Sequence, residues 1–212
     1  WVLYQVSSEA DLDRLRPKIE AALALPGVAG FSVRFPWSAA DITGSATSAP
    51  ILDKAKQIAQ SQGKALSIRF MAGAATPQRE FEVTALSDGT VPLPWDNATG
   101  NHAVFLQAYD QYAGKLATWS RANGVTLLHM SWYGQDWAEL NHGAELRAAP
   151  GYSQGAWLAG HQELIDIVAA HSSANLSVEL PLSGYGPLSG GQSEDLADYV
   201  ISKMGTNNPK FF

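Results

Sequence analysis

The chain contains no cysteine, which removes disulfide scaffolds, zinc ribbons and thiol catalysis together. No apolar run approaches the ~20 residues that span a bilayer, and no signal-peptide pattern is read at its start. A soluble chain without membrane insertion is therefore expected. Positive charge is scarce: 14 Lys and Arg stand against 20 Asp and Glu, a net charge of −6 at pH 7, and the basic residues are scattered. That balance argues against nucleic acid or an anionic membrane as a partner. Sequons head at Asn97 and Asn175, but they matter only in a eukaryotic secretory context, for which nothing else speaks. The missing cysteines do not fix a compartment, because bacterial cytoplasm and a virus particle both permit them to be absent.

What remains is a chain of 212 residues, 46% hydrophobic, enough for one substantial core or two small ones. Short β-rich runs alternate with longer helical ones throughout. The expected strands are Val2–Val6, Gly30–Phe35, Leu66–Phe70, Thr126–Ser131, Leu176–Leu180 and a final Lys210–Phe212. Between them, apolar residues recur at helical spacing. Leu12, Leu15, Ile19 and Leu23 mark the first helix; Phe105, Tyr109, Tyr112, Leu116 and Trp119 the third. Trp157, His161, Leu164 and Val168 mark another, and Leu196, Val200 and Met204 the last. Ser8 and Asp11 have capping-box spacing, and Gly27, Gly63 and Gly124 stand where helices should end. Regular strand–helix alternation means βαβ units and a parallel sheet, closed as a barrel or open and doubly wound.

The strands themselves separate those options. They read "VLYQV", "FSVRF", "LSIRF", "TLLHM" and "LSVEL", and the fourth position is always polar: Gln5, Arg34, Arg69, His129 and Glu179. With a two-residue period, that position and the second share a face. An open sheet covers both faces with helices, and burying five polar residues in register there would be very costly. A (β/α)₈ barrel turns one face inward, and its interior opens into the mouth at the C-terminal strand ends. The expected fold is therefore an α/β TIM-type (β/α)₈ barrel with this polar row at or just below its mouth. About five and a half βα units are present where a barrel has eight. Residues 1–212 are accordingly read as a single barrel domain, part of a longer polypeptide.

In such a barrel the loops after the strands build the functional face. "SWYGQDWAELNHG" follows the fourth strand and crowds Trp132, Tyr133, Asp136, Trp137, Glu139 and His142 above His129. "PWSAAD", "MAGAATPQREF", "VPLPWDN" and "PLSGYGPLSGG" occupy the other positions, so Trp37, Trp95, Asp96 and Tyr185 fall on the same face. Flat aromatics beside carboxylates and amides suit a sugar, whose C–H faces stack while its hydroxyls take hydrogen bonds.

At this point "GVAGFSVRFPWSAAD", "ALSIRFMAGAATP" and "VPLPWD" before a long aromatic helix carry a resemblance. They look like the glycoside-hydrolase-like TIM barrels related to the large retaining-glycosidase clan. The order of segments is similar to that in minor tail proteins of phages infecting actinobacteria. The resemblance implies a saccharide-directed barrel at a virion tail tip or otherwise outside the host cell. It also implies polysaccharide as ligand, and homo-oligomers with other tail proteins as partners. In that clan the fourth strand typically ends in Asn-Glu, where this chain reads "HMSWYG", and the nucleophile sits on the seventh strand, beyond Phe212. Whether the barrel is an enzyme or a binding or structural domain stays open. A cellular retaining glycosidase is the alternative.

Glycoside hydrolysis needs two carboxyl groups across the scissile bond. Glu139 and Glu179 are the catalytic candidates, with Asp136 and Asp96 in reserve. Glu179, with Arg34 and Arg69 as expected neighbours, should be held ionised; Glu139 among tryptophans suits a proton donor. Arg34, Trp37, Arg69, Asp96, His129, Trp132, Trp137 and Tyr185 are the candidate binding residues. Two motifs mislead. "GYSQG" spells a nucleophile elbow but lacks the preceding hydrophobic strand, so Ser153 is read as a helix N-cap. Glu139-x-x-His142 has metal-ligand spacing in one copy on a loop, where paired-carboxylate metal sites use two, and no metal is expected. The first βα connection has no glycine, and "SGYGPLSGG" contains no G-x-G-x-x-G, so no nucleotide cofactor is expected either.

Overall fold

The computed structural model describes residues 1–39, 49–77, 83–86, 89–93, 95, 101–130, 143–173, 175–180 and 192–204. Five parallel strands, β1 (Val2–Gln5), β2 (Gly30–Pro36), β3 (Ala65–Met71), β6 (Leu127–His129) and β7 (Ser177–Glu179), form one sheet in the order β1-β2-β3-β6-β7. Each matches an expected strand to within two residues at either end. The final Lys210–Phe212 lies outside the described residues.

Six helices are described: α1 (Glu9–Leu23), α2 (Pro50–Ser61), α3 (Asn101–Ala122), α4 (Ala144–Arg147), α5 (Gln154–His171) and α6 (Gln192–Met204). Their ends follow from local chemistry. Ser8 caps α1 by accepting the Asp11 backbone N–H at 3.2 Å, while the Asp11 carboxylate takes the Ser7 backbone N–H at 3.0 Å. The box therefore closes on the residue before the cap, not on the cap itself. Gly63 and Gly124 follow α2 and α3 with φ of 62° and 70°, left-handed backbone that a side chain would resist.

The strand order decides how the layers lie. It never reverses, and parallel crossovers are right-handed almost without exception, so each crossover places its helix on the same side. Phe31, Val33, Phe35, Ile68, Phe70 and Leu128 point to that side and are buried. Asp53 of α2 accepts the indole N–H of Trp119 at 3.1 Å, and Lys56 of α2 reaches Asn123 at 2.7 Å, tying α3 beside α2. The opposite face carries no helices among the described residues: Leu3 on it is 49% exposed and Gln5 is exposed. A doubly wound sheet would cover both faces. These are consecutive strands of a (β/α) barrel, wrapped by helices outside and concave within.

One element escaped the sequence. β4 (Val83–Leu86) and β5 (Gly89–Pro92) form an antiparallel hairpin between β3 and α3, with Leu86 opposite Gly89. Two residues, 87 and 88, separate the strands in sequence, the connection length of the shortest common hairpins. The sequence reads as loop in the flanking "MAGAATPQREF" and "VPLPWDN", and the second of these begins inside β5.

Candidate functional site

The row of polar residues is present as the strand repeat foretold. Gln5 pairs with Arg34, Arg34 with Arg69, Arg69 with His129, and His129 with Glu179. All five therefore stand side by side at the C-terminal ends of the strands, on the concave face. Arg69 is its centre. Its Nη2 donates to Glu179 Oε2 at 3.1 Å, its Nη1 lies 3.4 Å from His129 Nδ1, and its Nε donates to Ser32 Oγ at 3.1 Å. Ser32 also receives the Ser67 hydroxyl at 2.8 Å. Arg34 is anchored in the same way, its Nε donating to Met71 Sδ at 2.9 Å.

Glu179 is held below the usual carboxylate range. The largest cause is the hydrogen bond from His129, opposed by partial burial and reinforced by the positive charges of His129 and Arg69 and by the Arg69 hydrogen bond. Two contacts of His129 compete for one atom. Nδ1 lies 3.5 Å from Glu179 Oε1 and 3.4 Å from Arg69 Nη1, and an arginine N–H only donates. With a proton on Nδ1, His129 serves Glu179; without one, it accepts from Arg69. The depressed Glu179 pKa belongs to the first arrangement. His129 is buried, whereas the Arg69 and Glu179 side chains are 31% and 30% exposed, so the ion pair meets solvent at the concave surface. It offers N–H donors and carboxylate lone pairs next to each other.

The other candidates divide. Trp37 is a core residue, which corrects its expected place at the mouth: it is 1% exposed. Its ring stacks on Tyr112 at 5.0 Å and meets Phe70, Phe105 and Tyr109 edge-on. The short 3-10 turn Trp37–Ala39 directly after β2 turns the indole outward under α3 instead of up into the mouth. Trp95 is also buried, its indole N–H donating to the Pro150 carbonyl at 2.8 Å and its ring set edge-on to Tyr152. Asp96, Trp132, Tyr133, Asp136, Trp137, Glu139, His142 and Tyr185 lie outside the described residues. Ser153 is the N-cap of α5, accepting the Ala156 backbone N–H at 3.1 Å. Asp166 and His171, the acid and histidine that follow it on α5, face other groups: Asp166 binds Tyr199 and Lys203, His171 binds Asp110. Among the described residues no three His, Asp or Glu side chains come together as a metal site would require.

Sequence reasoning missed Ser32 and Ser67. Their signal was available, since each stands two residues before an arginine of the row and so shares its face.

No family model matches the chain, and no curated protein matches it. Among solved structures it is similar to xylanase B from Clostridium stercorarium F9, with a TM-score of 0.51 and 14% identity. The match covers 89% of this chain and 55% of that one, so the chain spans little more than half the length of this xylanase. The shared fold is a (β/α) barrel. At this identity the likeness carries the fold and nothing finer, and no described helix is long and apolar enough to cross a membrane.

Proposed function

We propose that this barrel binds saccharide on its concave face, with the Arg69–Glu179 pair as the contact that reads hydroxyl groups. The carrying observation is the row itself. Five polar residues stand in register at the strand ends, and three of them, Arg69, His129 and Glu179, meet in a part-exposed cluster where a (β/α) barrel places its ligands. A vicinal diol needs both acceptors for its O–H groups and donors for its lone pairs. Glu179 provides the first and Arg69 the second. Its fold neighbour being a xylanase supports the same reading, as do Trp132, Tyr133, Trp137 and Tyr185 in the sequences that follow β6 and β7.

The resemblance of the β2, β3 and "VPLPWD" segments to tail-tip domains of actinobacterial phages supports a finer proposal. The ligand is then host envelope polysaccharide, and the chain works as part of a larger tail protein assembled with further copies. Glu179, kept ionised, favours a second reading in which the barrel also cleaves its ligand, with Glu139 as the proton donor and Glu179 as the carboxylate partner. Purified actinobacterial envelope polysaccharide separates the two. New reducing ends that vanish in Glu179→Gln or Glu139→Gln make it an enzyme. Binding without release makes it an adhesin, and neither binding nor release leaves a scaffold and ends the saccharide proposal.

A further inference from the structure

We propose that Ser32 is a positioning residue for this site: its buried hydroxyl fixes the rotation of the Arg69 guanidinium and thereby which N–H groups reach Glu179 and His129. The functional part of this inference rests on the row being the binding site. The geometric part does not.

Barrel interiors are usually filled by branched aliphatic side chains. Here the layer beneath the row holds Ser32 and Ser67, each 2% exposed. A buried hydroxyl costs free energy unless it is hydrogen-bonded, so two serines facing each other would gain nothing over two alanines if they bonded only to one another. Ser32 does more. Its oxygen takes the Ser67 hydroxyl at 2.8 Å from one side and Arg69 Nε–H at 3.1 Å from the other. Among the described residues Ser67 makes no hydrogen bond to Arg69; it bonds to Ser32 alone, which meets the arginine.

The consequence follows from the shape of the side chain. A guanidinium is a rigid plane with five N–H groups in a fixed fork. Pinning Nε from below leaves Nη1 beside His129 and Nη2 on Glu179. Without that pin, a side chain that is 31% exposed can turn about its own bonds and lose either contact. Arg34 shows the same device with a different acceptor, Met71 Sδ at Nε. In both arginines the base of the fork is tied inside the barrel.

The two serines are therefore unequal, and that inequality is the test. In wild-type protein, nitrogen-15 spectra should show the Arg69 Hε exchanging with solvent more slowly than that of Arg14, whose side chain is 67% exposed. In Ser32→Ala this protection should be lost, and the Glu179 carboxyl midpoint, followed by carbon-13 shift, should rise toward its value in Arg69→Ala. In Ser67→Ala both should stay near wild type. Equal shifts in the two serine variants, or a wild-type Hε exchanging as fast as that of Arg14, would overturn the proposal.

A titration of wild type, Ser32→Ala and Ser67→Ala with xylo-oligosaccharide and with oligosaccharide fragments of actinobacterial envelope polysaccharide reads the functional part. Ser32→Ala should bind about two- to tenfold more weakly, the cost of ordering one freed side chain when sugar binds, and Ser67→Ala should bind as wild type does. Wild-type affinity in Ser32→Ala would overturn the positioning role while keeping the saccharide reading. A wild-type protein that binds no sugar would end the saccharide reading, and with it the functional part, while the nitrogen-15 result still judges the hold of Ser32 on Arg69.

Discussion

Arg69 and Glu179 are 110 positions apart in the chain and 3.1 Å apart in space, and the strand between theirs carries His129. Neighbouring strands are separated by about 4.8 Å, so β3 and β7 stand two spacings apart. The arginine spans that gap because both side chains lean into the same concave interior. His129, beneath the bridge, touches both partners. Three strands thus supply one composite group, a donor and an acceptor held side by side by a buried imidazole.

The ion pair should make stability depend on pH in a defined direction. Glu179 titrates below its ordinary value of 4.5 in the folded protein, so folding favours its ionised form. The stabilisation is fully present above the unfolded carboxylate value and is lost as pH falls through the folded one. Urea unfolding of wild type and Glu179→Gln should differ by about 1 kcal/mol near neutral pH, a magnitude suited to a part-exposed pair. The gap should close once the pH drops below the folded value. A gap that persists or grows in acid would mean that Glu179 does not owe its ionisation to Arg69 and His129.

Trp37 should behave as core. Trp37→Ala should cost about 3–5 kcal/mol through the cavity left among Phe70, Phe105, Tyr109 and Tyr112. Trp37→Phe should cost clearly less than Trp37→Ala, since the smaller ring leaves a smaller cavity and the indole N–H, buried with no acceptor among the described residues, gives up no bond. Equilibrium denaturation of both variants checks this. A mild Trp37→Ala would return the residue to the surface.

Gly30 should resist substitution for a reason that lies on the neighbouring strand. A Cβ there would run into the Trp1 ring and would stand 2.5 Å from the Ala65 carbonyl oxygen. The ring can swing aside, but the carbonyl belongs to the β3 backbone. Gly30→Ala should therefore lower stability by about 1–3 kcal/mol, and adding Trp1→Ala should restore only part of it. Complete rescue by the second substitution would place the whole conflict on Trp1.

How much of this was legible in the sequence depended on the kind of signal. The two-residue strand period put Gln5, Arg34, Arg69, His129 and Glu179 on one face, and their alignment across five strands follows from parallel pairing. Helix positions were equally plain, because Phe105 through Trp119 and Trp157 through Val168 repeat at helical spacing. Side-chain destinations in the loops were not. Trp37 follows a strand just as a mouth residue would, and only the tight 3-10 turn sends it under α3. The Ser32–Arg69 contact was hidden for a different reason: periodicity assigns both to one face but says nothing about which atoms meet. The β4–β5 hairpin was passed over because its strands are short and its apolar residues do not alternate cleanly.

The central claim is that the concave row binds sugar, and one titration tests it most directly. Backbone amide and Arg Nε resonances of the isotope-labelled protein would be followed as neutral oligosaccharide is added, with Glu179→Ala alongside. The account predicts that shifts concentrate on Arg69, His129, Glu179 and their strand neighbours, and that they disappear in Glu179→Ala while the fold is retained. Shifts confined to the helices around the barrel, or an unchanged response in Glu179→Ala, would contradict it.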